Sequence, residues 1–304
     1  MVYFILILSL IGIIYGASNL VDGSTSLAKR YHISNFIIGA LIVGVGTSMP
    51  ELVVSLIGTL KDNPDIAIGN VVGSNIFNIL GILGATAIIF PISIKKENVK
   101  FDILYCIGVS ILLTLLVLGF STHTLNLYGG ICLLLTFVGY IYFSFKINNN
   151  VEVINTEIDS LSNSILRIIG GLIILIFSCE AFVDNAVVIA KNFGVSDAVV
   201  ALTLISCGTS LPEFSASMVA AFKKNTQMAL GNIIGSNIFN ISFILGICSI
   251  VSPLNSFNIG VIDYIAMIGA AISVLICGIF GKINRVSGII MLSLFISYVC
   301  WLMF

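Results

Sequence analysis

Apolar stretches of about 20 residues, long enough to cross a bilayer, alternate with short polar breaks along nearly the whole chain. Ten of them run over approximately 2–28, 35–60, 65–91, 102–121, 124–145, 165–190, 197–222, 227–252, 258–281 and 285–304. The first exceeds the required length and predicts a tilted helix. One stretch breaks the pattern. Asn148 to Asn163 carries Glu152, Glu157 and Asp159 and has no apolar periodicity. It predicts a linker over 148–163 between two blocks, 1–147 and 164–304, of five spans each. The fold class is then an all-α integral membrane protein with ten transmembrane helices. An odd number of spans per block inverts the second block relative to the first.

The two blocks repeat each other. Gly69 to Ile79 reads GNVVGSNIFNI and Gly231 to Ile241 reads GNIIGSNIFNI, identical at nine of eleven positions and 162 residues apart. GTSMPE (Gly46 to Glu51) and GTSLPE (Gly208 to Glu213) share that offset, as do Asp22 with Asp184, Lys61 with Lys223 and Ser34 with Ser196. The chain is a duplication, read here as two inverted five-helix repeats. Inverted repeats place a substrate site near the midplane, where broken helices of the two halves face each other.

Composition and charge refine this picture. The 304 residues are 58% hydrophobic and 9% charged, too apolar for a soluble globular surface. The scarcity of Lys and Arg excludes a nucleic-acid surface. No Lys or Arg precedes the first apolar run, which therefore reads as a spanning helix and not a signal peptide. Lys29, Arg30, Lys95, Lys96, Lys100, Lys146, Arg167, Lys223, Lys224, Lys282 and Arg285 fall on one side of the predicted membrane; only Lys61 and Lys191 fall on the other. That bias makes the first side cytoplasmic. It predicts a multi-pass protein of the cell membrane with a cytoplasmic linker and both termini outside. The seven cysteines (Cys106, Cys132, Cys179, Cys207, Cys248, Cys277 and Cys300) form no CxxC pair and read as small buried hydrophobes.

Candidate chemistry centres on Glu51 and Glu213. Each precedes its matching lysine, Lys61 or Lys223, by ten residues, a rise of about 15 Å, half of a hydrocarbon core of about 30 Å. An ionised side chain at that depth costs about 2.5–3.5 kcal/mol on insertion scales. Paired occurrence at equivalent positions argues for function over a lone satisfied glutamate. Pro50 and Pro212 lie inside apparent spans and deprive the Gly46 and Gly208 carbonyls of their helical partners. Gly44, Thr47 or Ser48, and Glu51 share one helix face, as do Ser206, Thr209 or Ser210, and Glu213. Ser74 and Asn78, and likewise Ser236 and Asn240, lie four apart. Carbonyls, hydroxyls, amides and carboxylates are hard oxygen ligands suited to Na+, Ca2+ or Mg2+. For Asn70, Asn75, Asn232 and Asn237, interhelical hydrogen bonding and ion contact stay equally open. Asp22 and Asp184, near the middle of the first helix of each half, are expected to have a structural or gating role.

These motifs resemble the two α-repeats of the sodium/calcium exchangers, within the cation/calcium exchanger superfamily. The resemblance covers about 50 residues in each half, over 36–84 and 198–246, and the short linker is similar to that of prokaryotic members. It implies a secondary antiporter, not an enzyme, that moves Na+ against Ca2+ by alternating access and uses no cofactor. Glu51 and Glu213 would ligate both ions, with Thr47 and Thr209 giving backbone carbonyls. Ser48, Ser210, Ser74 and Ser236 would complete the Na+ positions, helped by the Gly44 and Ser206 carbonyls. The first helix of each half would slide across a rigid core. Two carboxylates balance one Ca2+ and are outweighed by the three Na+ usual in the family, so exchange would be electrogenic. Asn78 and Asn240 stand where the potassium-dependent branch has aspartate, which argues against K+ co-transport. The expected partners are the two ions and membrane lipid, with no nucleic acid and a monomeric carrier.

Three other readings compete. A Ca2+/H+ antiporter would use the glutamates as proton carriers and leave the hydroxyls unexplained. A passive cation channel would need identical rings from an oligomer or an open polar pore. An intramembrane hydrolase would need a nucleophile with its base, or a metal held by histidines.

Overall fold

A computed structural model of the chain describes residues 2–61, 65–119, 123–147, 158–193, 208–256 and 259–303. The helices are α1 (Val2–Arg30), α2 (Asn35–Thr47), α3 (Met49–Leu60), α4 (Asp65–Ile89), α5 (Lys96–Leu118), α6 (Leu127–Ile147), α7 (Leu161–Asn192), α8 (Leu211–Phe222), α9 (Thr226–Val251), α10 (Val261–Ile279) and α11 (Arg285–Met303). Among the described residues, eight helices are long and apolar enough to cross a membrane, and α2 with α3, bent by 45°, makes a ninth if counted as one span. The part of the expected span 197–222 that precedes Gly208 lies outside the described residues, as do residues 148–157 of the expected linker. The last three residues of that linker open α7.

Helix starts follow ordinary capping chemistry. The Ser34 hydroxyl accepts the Ile37 N–H at the start of α2, and the Ser160 hydroxyl accepts the Asn163 N–H at the start of α7. The Asn225 side chain accepts the Met228 N–H ahead of α9. Each cap satisfies a donor that has no partner within its helix. α4 and α9 are the most buried spans and carry the motif GN(V/I)(V/I)GSNIFN at the centre of the bundle; α6, α7 and α11 are mostly exposed. The main apolar core, including Ile76, Ile79, Ile238 and Ile241, surrounds these two helices.

Close helix crossings depend on glycine. A Cβ on Gly231 or Gly235 of α9 would overlap the Phe36 carbonyl or the Ala40 backbone of α2, so the helices meet backbone to backbone. α1 and α7 pair antiparallel, with Gly16 opposite Gly171 and Leu175 and with Gly23 opposite Ser164.

Short strands tie the ends of the bundle together. β1 (Ile92–Ser93) pairs antiparallel with β4 (Lys282–Ile283), and β2 (Thr124–Leu125) with β3 (Leu254–Asn255). The first pairing joins the segments that carry Lys95, Lys96, Lys282 and Arg285. Gln227 donates to the Ser93 carbonyl at 2.7 Å and brings the α8–α9 turn, with Lys223 and Lys224, to the same end. Lys223 pairs with Asp22 at 2.6 Å, and Arg167 with Asp159 at 3.1 Å. Arg30 donates to the Asp159 carbonyl. Charges that the sequence grouped on one side thus converge at one end. The pairing also corrects the placement of Asp22: its carboxylate lies at this charged end and not at mid-helix depth.

Gly235→Ala is expected to destabilise the fold by about 1–3 kcal/mol, the usual cost of overpacking, because the obstructing atoms are backbone. Gly108, which has open space around it, should accept Ala without loss. Thermal unfolding of the two purified variants in detergent checks the contrast.

Candidate functional site

The site begins with two matching helix starts. Ser48 (φ −83°, ψ 9°) separates α2 from α3, and Ser210 (φ −89°, ψ 9°) precedes α8. Pro50 and Pro212 therefore stand in the first turn of a new helix, where a missing N–H leaves nothing unsatisfied and the fixed φ suits the start. They initiate helices and do not kink continuous ones, as their position inside an apparent span had suggested. Glu51 and Glu213 fall in the same first turns, where the partial positive charge of a helix N-terminus favours a carboxylate.

Both carboxylates are completely buried, along with Thr47, Ser48, Ser210, Ser236, Asn78 and Asn240. They are hydrogen-bonded crosswise. Ser48 donates to Glu213 Oε1 at 2.8 Å, and Ser210 donates to Glu51 Oε1 at 2.9 Å. The Thr47 hydroxyl donates to the Gly44 carbonyl and to Asn232 Oδ1, each at 3.3 Å, and Thr209 lies in the turn that leads to Ser210 and α8. No Lys, Arg or His among the described residues pairs with either one.

Among the buried side-chain atoms that receive no hydrogen bond from the described residues, four belong to this cluster: Glu51 Oε2, Glu213 Oε2, Asn78 Oδ1 and Asn240 Oδ1. They are two pairs related by the 162-residue repeat. Buried polar atoms without partners are rare in native folds and call for an explanation. Uncompensated buried carboxylates carry a large desolvation penalty until a counter-charge arrives. The buried atoms gathered here are hydroxyl, amide and carboxylate oxygens, a donor set that suits a hard cation.

The remaining candidates gather around these atoms. Ser236 donates to the Gly44 carbonyl at 3.2 Å, and Asn240 donates to the Ser74 hydroxyl at 3.3 Å. Gly44, Asn78 and Asn240 lie in π-helical turns, Gly39–Gly44, Phe77–Leu83 and Asn240–Ile244, a feature frequent at functional sites. Ser206 lies outside the described residues.

Sequence reasoning left Asn70, Asn75, Asn232 and Asn237 undecided. Each donates its amide NH2 to a main-chain carbonyl: Asn70 to Glu51, Asn232 to Glu213, Asn75 to Asn237 and Asn237 to Asn75, at 3.0–3.2 Å. Asn70 and Asn232 also donate to Ser55 and Ser217. The one signal in the sequence was the shared 162-residue offset, which pairs Asn70 with Asn232 and Asn75 with Asn237; the bonds themselves stay within each half for the first pair and cross between halves for the second.

The profile of the family described as "Sodium/calcium exchanger protein" matches residues 1–146 and 163–304. The uncharacterized membrane protein MJ0091 of Methanocaldococcus jannaschii is 36% identical over 95% of this chain and 94% of its own. The sodium/calcium exchanger MaX1 of Methanosarcina acetivorans is 29% identical over 97% of each chain. The sodium-calcium exchanger NCX_Mj, solved from crystals soaked with zero Na+ and Ca2+, superposes with a TM-score of 0.87 at 34% identity, covering 99% of this chain and 98% of that one.

Glu51→Gln and Glu213→Gln each remove a buried charge. In cation-free detergent both variants should melt at or above the parent temperature, and both should lose any rise in melting temperature on adding Ca2+. A thermal-shift titration reads both effects.

Proposed function

The chain belongs to the sodium/calcium exchanger protein family, and on that premise we propose that it is an electrogenic antiporter that moves Na+ against Ca2+ by alternating access. The observation that carries this reading is the set of four acceptor oxygens on Glu51, Glu213, Asn78 and Asn240 that are buried together, receive no hydrogen bond from the described residues and form a donor set suited to a hard cation. Glu51 and Glu213 bind either ion. The main-chain carbonyls of Thr47, Thr209, Gly44 and Ser206 and the hydroxyls of Ser48, Ser210, Ser74 and Ser236 shape the Na+ positions. One Ca2+ balances the two carboxylates. Na+ ions in excess of two leave net positive charge, and both occupants use the same oxygens, so binding is exclusive.

The architecture proposed is ten spans in two inverted five-helix repeats. Crosswise pairing supports it: the Ser48–Glu213 bond has its counterpart in Ser210–Glu51, and β1 pairs with β4 as β3, the repeat partner of β1, pairs with β2. The charged end with Lys223, Arg167 and Arg30 faces the cytoplasm, which puts both termini outside. The antiparallel α1–α7 pair is the moving part. On this reading the Asp22–Lys223 ion pair, with Ser18 also accepting from Lys223 at 2.7 Å, holds α1 against the cytoplasmic end of α8.

A Ca2+/H+ antiporter is the second reading, favoured by the same two carboxylates. It gives no use to hydroxyls repeated in both halves. Proteoliposomes loaded with Na+, with K+, or with acid in Na+-free buffer separate the two. Uptake of radiolabelled Ca2+ only with internal Na+, faster at an inside-positive potential, is the expected outcome. Uptake driven by protons alone would move the chain to the second reading. Glu51→Gln and Glu213→Gln should each abolish uptake. Asp22→Asn should slow exchange and leave Ca2+ affinity unchanged; a lost affinity would place Asp22 in the ion site instead of at a gate.

A further inference from the structure

We propose that Asn75 and Asn237 are positioning residues that fix which atom Asn78 and Asn240 turn toward the ion. The inference rests on the reading of Asn78 and Asn240 as cation ligands. A side-chain amide is nearly symmetric in shape, yet its two ends are opposite in function: the oxygen can bind a cation, the NH2 cannot. Something must select the flip, and the hydrogen bonds around the two asparagines do so without ambiguity.

The selection starts from the main chain. A backbone carbonyl only accepts. The end of Asn237 that lies 3.0 Å from the Asn75 carbonyl is therefore its NH2, and Asn237 Oδ1 is left facing Asn78 at 3.0 Å. That oxygen also only accepts, so Asn78 must give it the NH2 and turn its own Oδ1 away. The same sequence runs in the other direction. Asn75 anchors its NH2 on the Asn237 carbonyl at 3.1 Å, its Oδ1 accepts from Asn240 at 3.1 Å, and Asn240 turns its Oδ1 away. The two oxygens so turned, Asn78 Oδ1 and Asn240 Oδ1, are the ones left without donors. Reversing any one amide would set two acceptors or two donors face to face among groups that are all 0–1% exposed. Each half of the chain thus sets the ligand of the other half, through a carbonyl that no side-chain substitution removes.

This arrangement separates positioning from folding experimentally. Asn237→Ala removes the acceptor that holds Asn78 but leaves the Asn237 carbonyl, so Asn75 and Asn240 stay anchored. Equilibrium binding of radiolabelled Ca2+ to purified protein in detergent, with Na+ as competitor, is measured for Asn237→Ala, Asn78→Ala and the double variant. Asn237→Ala and Asn78→Ala should each weaken Ca2+ binding about tenfold, and the double variant should bind no more weakly than Asn78→Ala alone, the strong non-additivity of residues acting through one contact. The mirror cycle of Asn75→Ala with Asn240→Ala gives a second test if one variant does not fold.

Unchanged affinity in Asn237→Ala with a lowered melting temperature, or losses that multiply to about a hundredfold in the double variant, would overturn the proposal in favour of a packing role. A silent Asn78→Ala would overturn the ligand assignment and the proposal with it. Because binding is read without transport, failure of Na+-driven uptake alongside the expected coupling would count against the exchange reading alone.

Discussion

Two carboxylates buried together, with no basic side chain among the described residues to balance them, are the constraint on which the rest of this structure depends. A carboxylate in an apolar interior is tolerable only when charge or directed hydrogen bonds replace the water it has lost. Here the protein supplies the bonds and withholds the charge. Helix starts at Met49 and Leu211 direct partial positive charge at Glu51 and Glu213, and one serine hydroxyl reaches each carboxylate. That compensation is incomplete. One oxygen of each glutamate and one of each facing asparagine stay open, a deficit of positive charge at a defined place.

The rest of the fold follows from the need to hold that deficit in position. A helix start can be buried at the centre of a bundle only if the spans break there, hence Ser48 and Ser210 in non-helical geometry ahead of a proline. α9 can lie directly on α2 only if one of the two lacks side chains at the contact, hence Gly231 and Gly235 against the backbone of α2. The polar groups must also be satisfied without satisfying the site itself. Asn70 and Asn232 meet this by bonding the main-chain carbonyls of the two glutamates, which stiffens the turn and leaves the carboxylates free.

Much of this was legible in the sequence because duplication repeats a signal at a fixed offset. The apolar spans, the paired glutamates and the oxygen-rich faces were all visible as residue type and spacing. Three things were not. The prolines read as kinks because hydropathy runs without interruption across Ser48, and only backbone geometry distinguishes a kink from a new start. Asp22 read as mid-helix because its helix is longer than the membrane; its partner Lys223 is 201 residues away. The four framework asparagines stayed ambiguous because an amide can hold a helix or hold an ion, and residue type alone does not tell which. The resolving fact is a bond to a main-chain carbonyl on another helix, within the same half for Asn70 and Asn232 and across the repeat for Asn75 and Asn237, which no local period encodes.

The charge deficit also bears on how exchange could be obligatory. An antiporter must prevent the empty carrier from crossing, or gradients collapse by uncoupled return. With the ion gone, a site with two ionised carboxylates would have to pass through a closed, apolar intermediate in which neither water nor cation compensates them, and uncompensated charge in such surroundings is disfavoured by several kcal/mol. On the exchange reading proposed above, one Ca2+, or a set of Na+, would remove most of that penalty. Occupancy would then act as the permission to move, with no separate latch needed to enforce it. Hydrogen bonds that filled all eight oxygens of Glu51, Glu213, Asn78, Asn240 and their serine partners would make the empty site stable and free to cross. On that reading, the incomplete satisfaction of Glu51, Glu213, Asn78 and Asn240 would tie movement of the site to the presence of its ion.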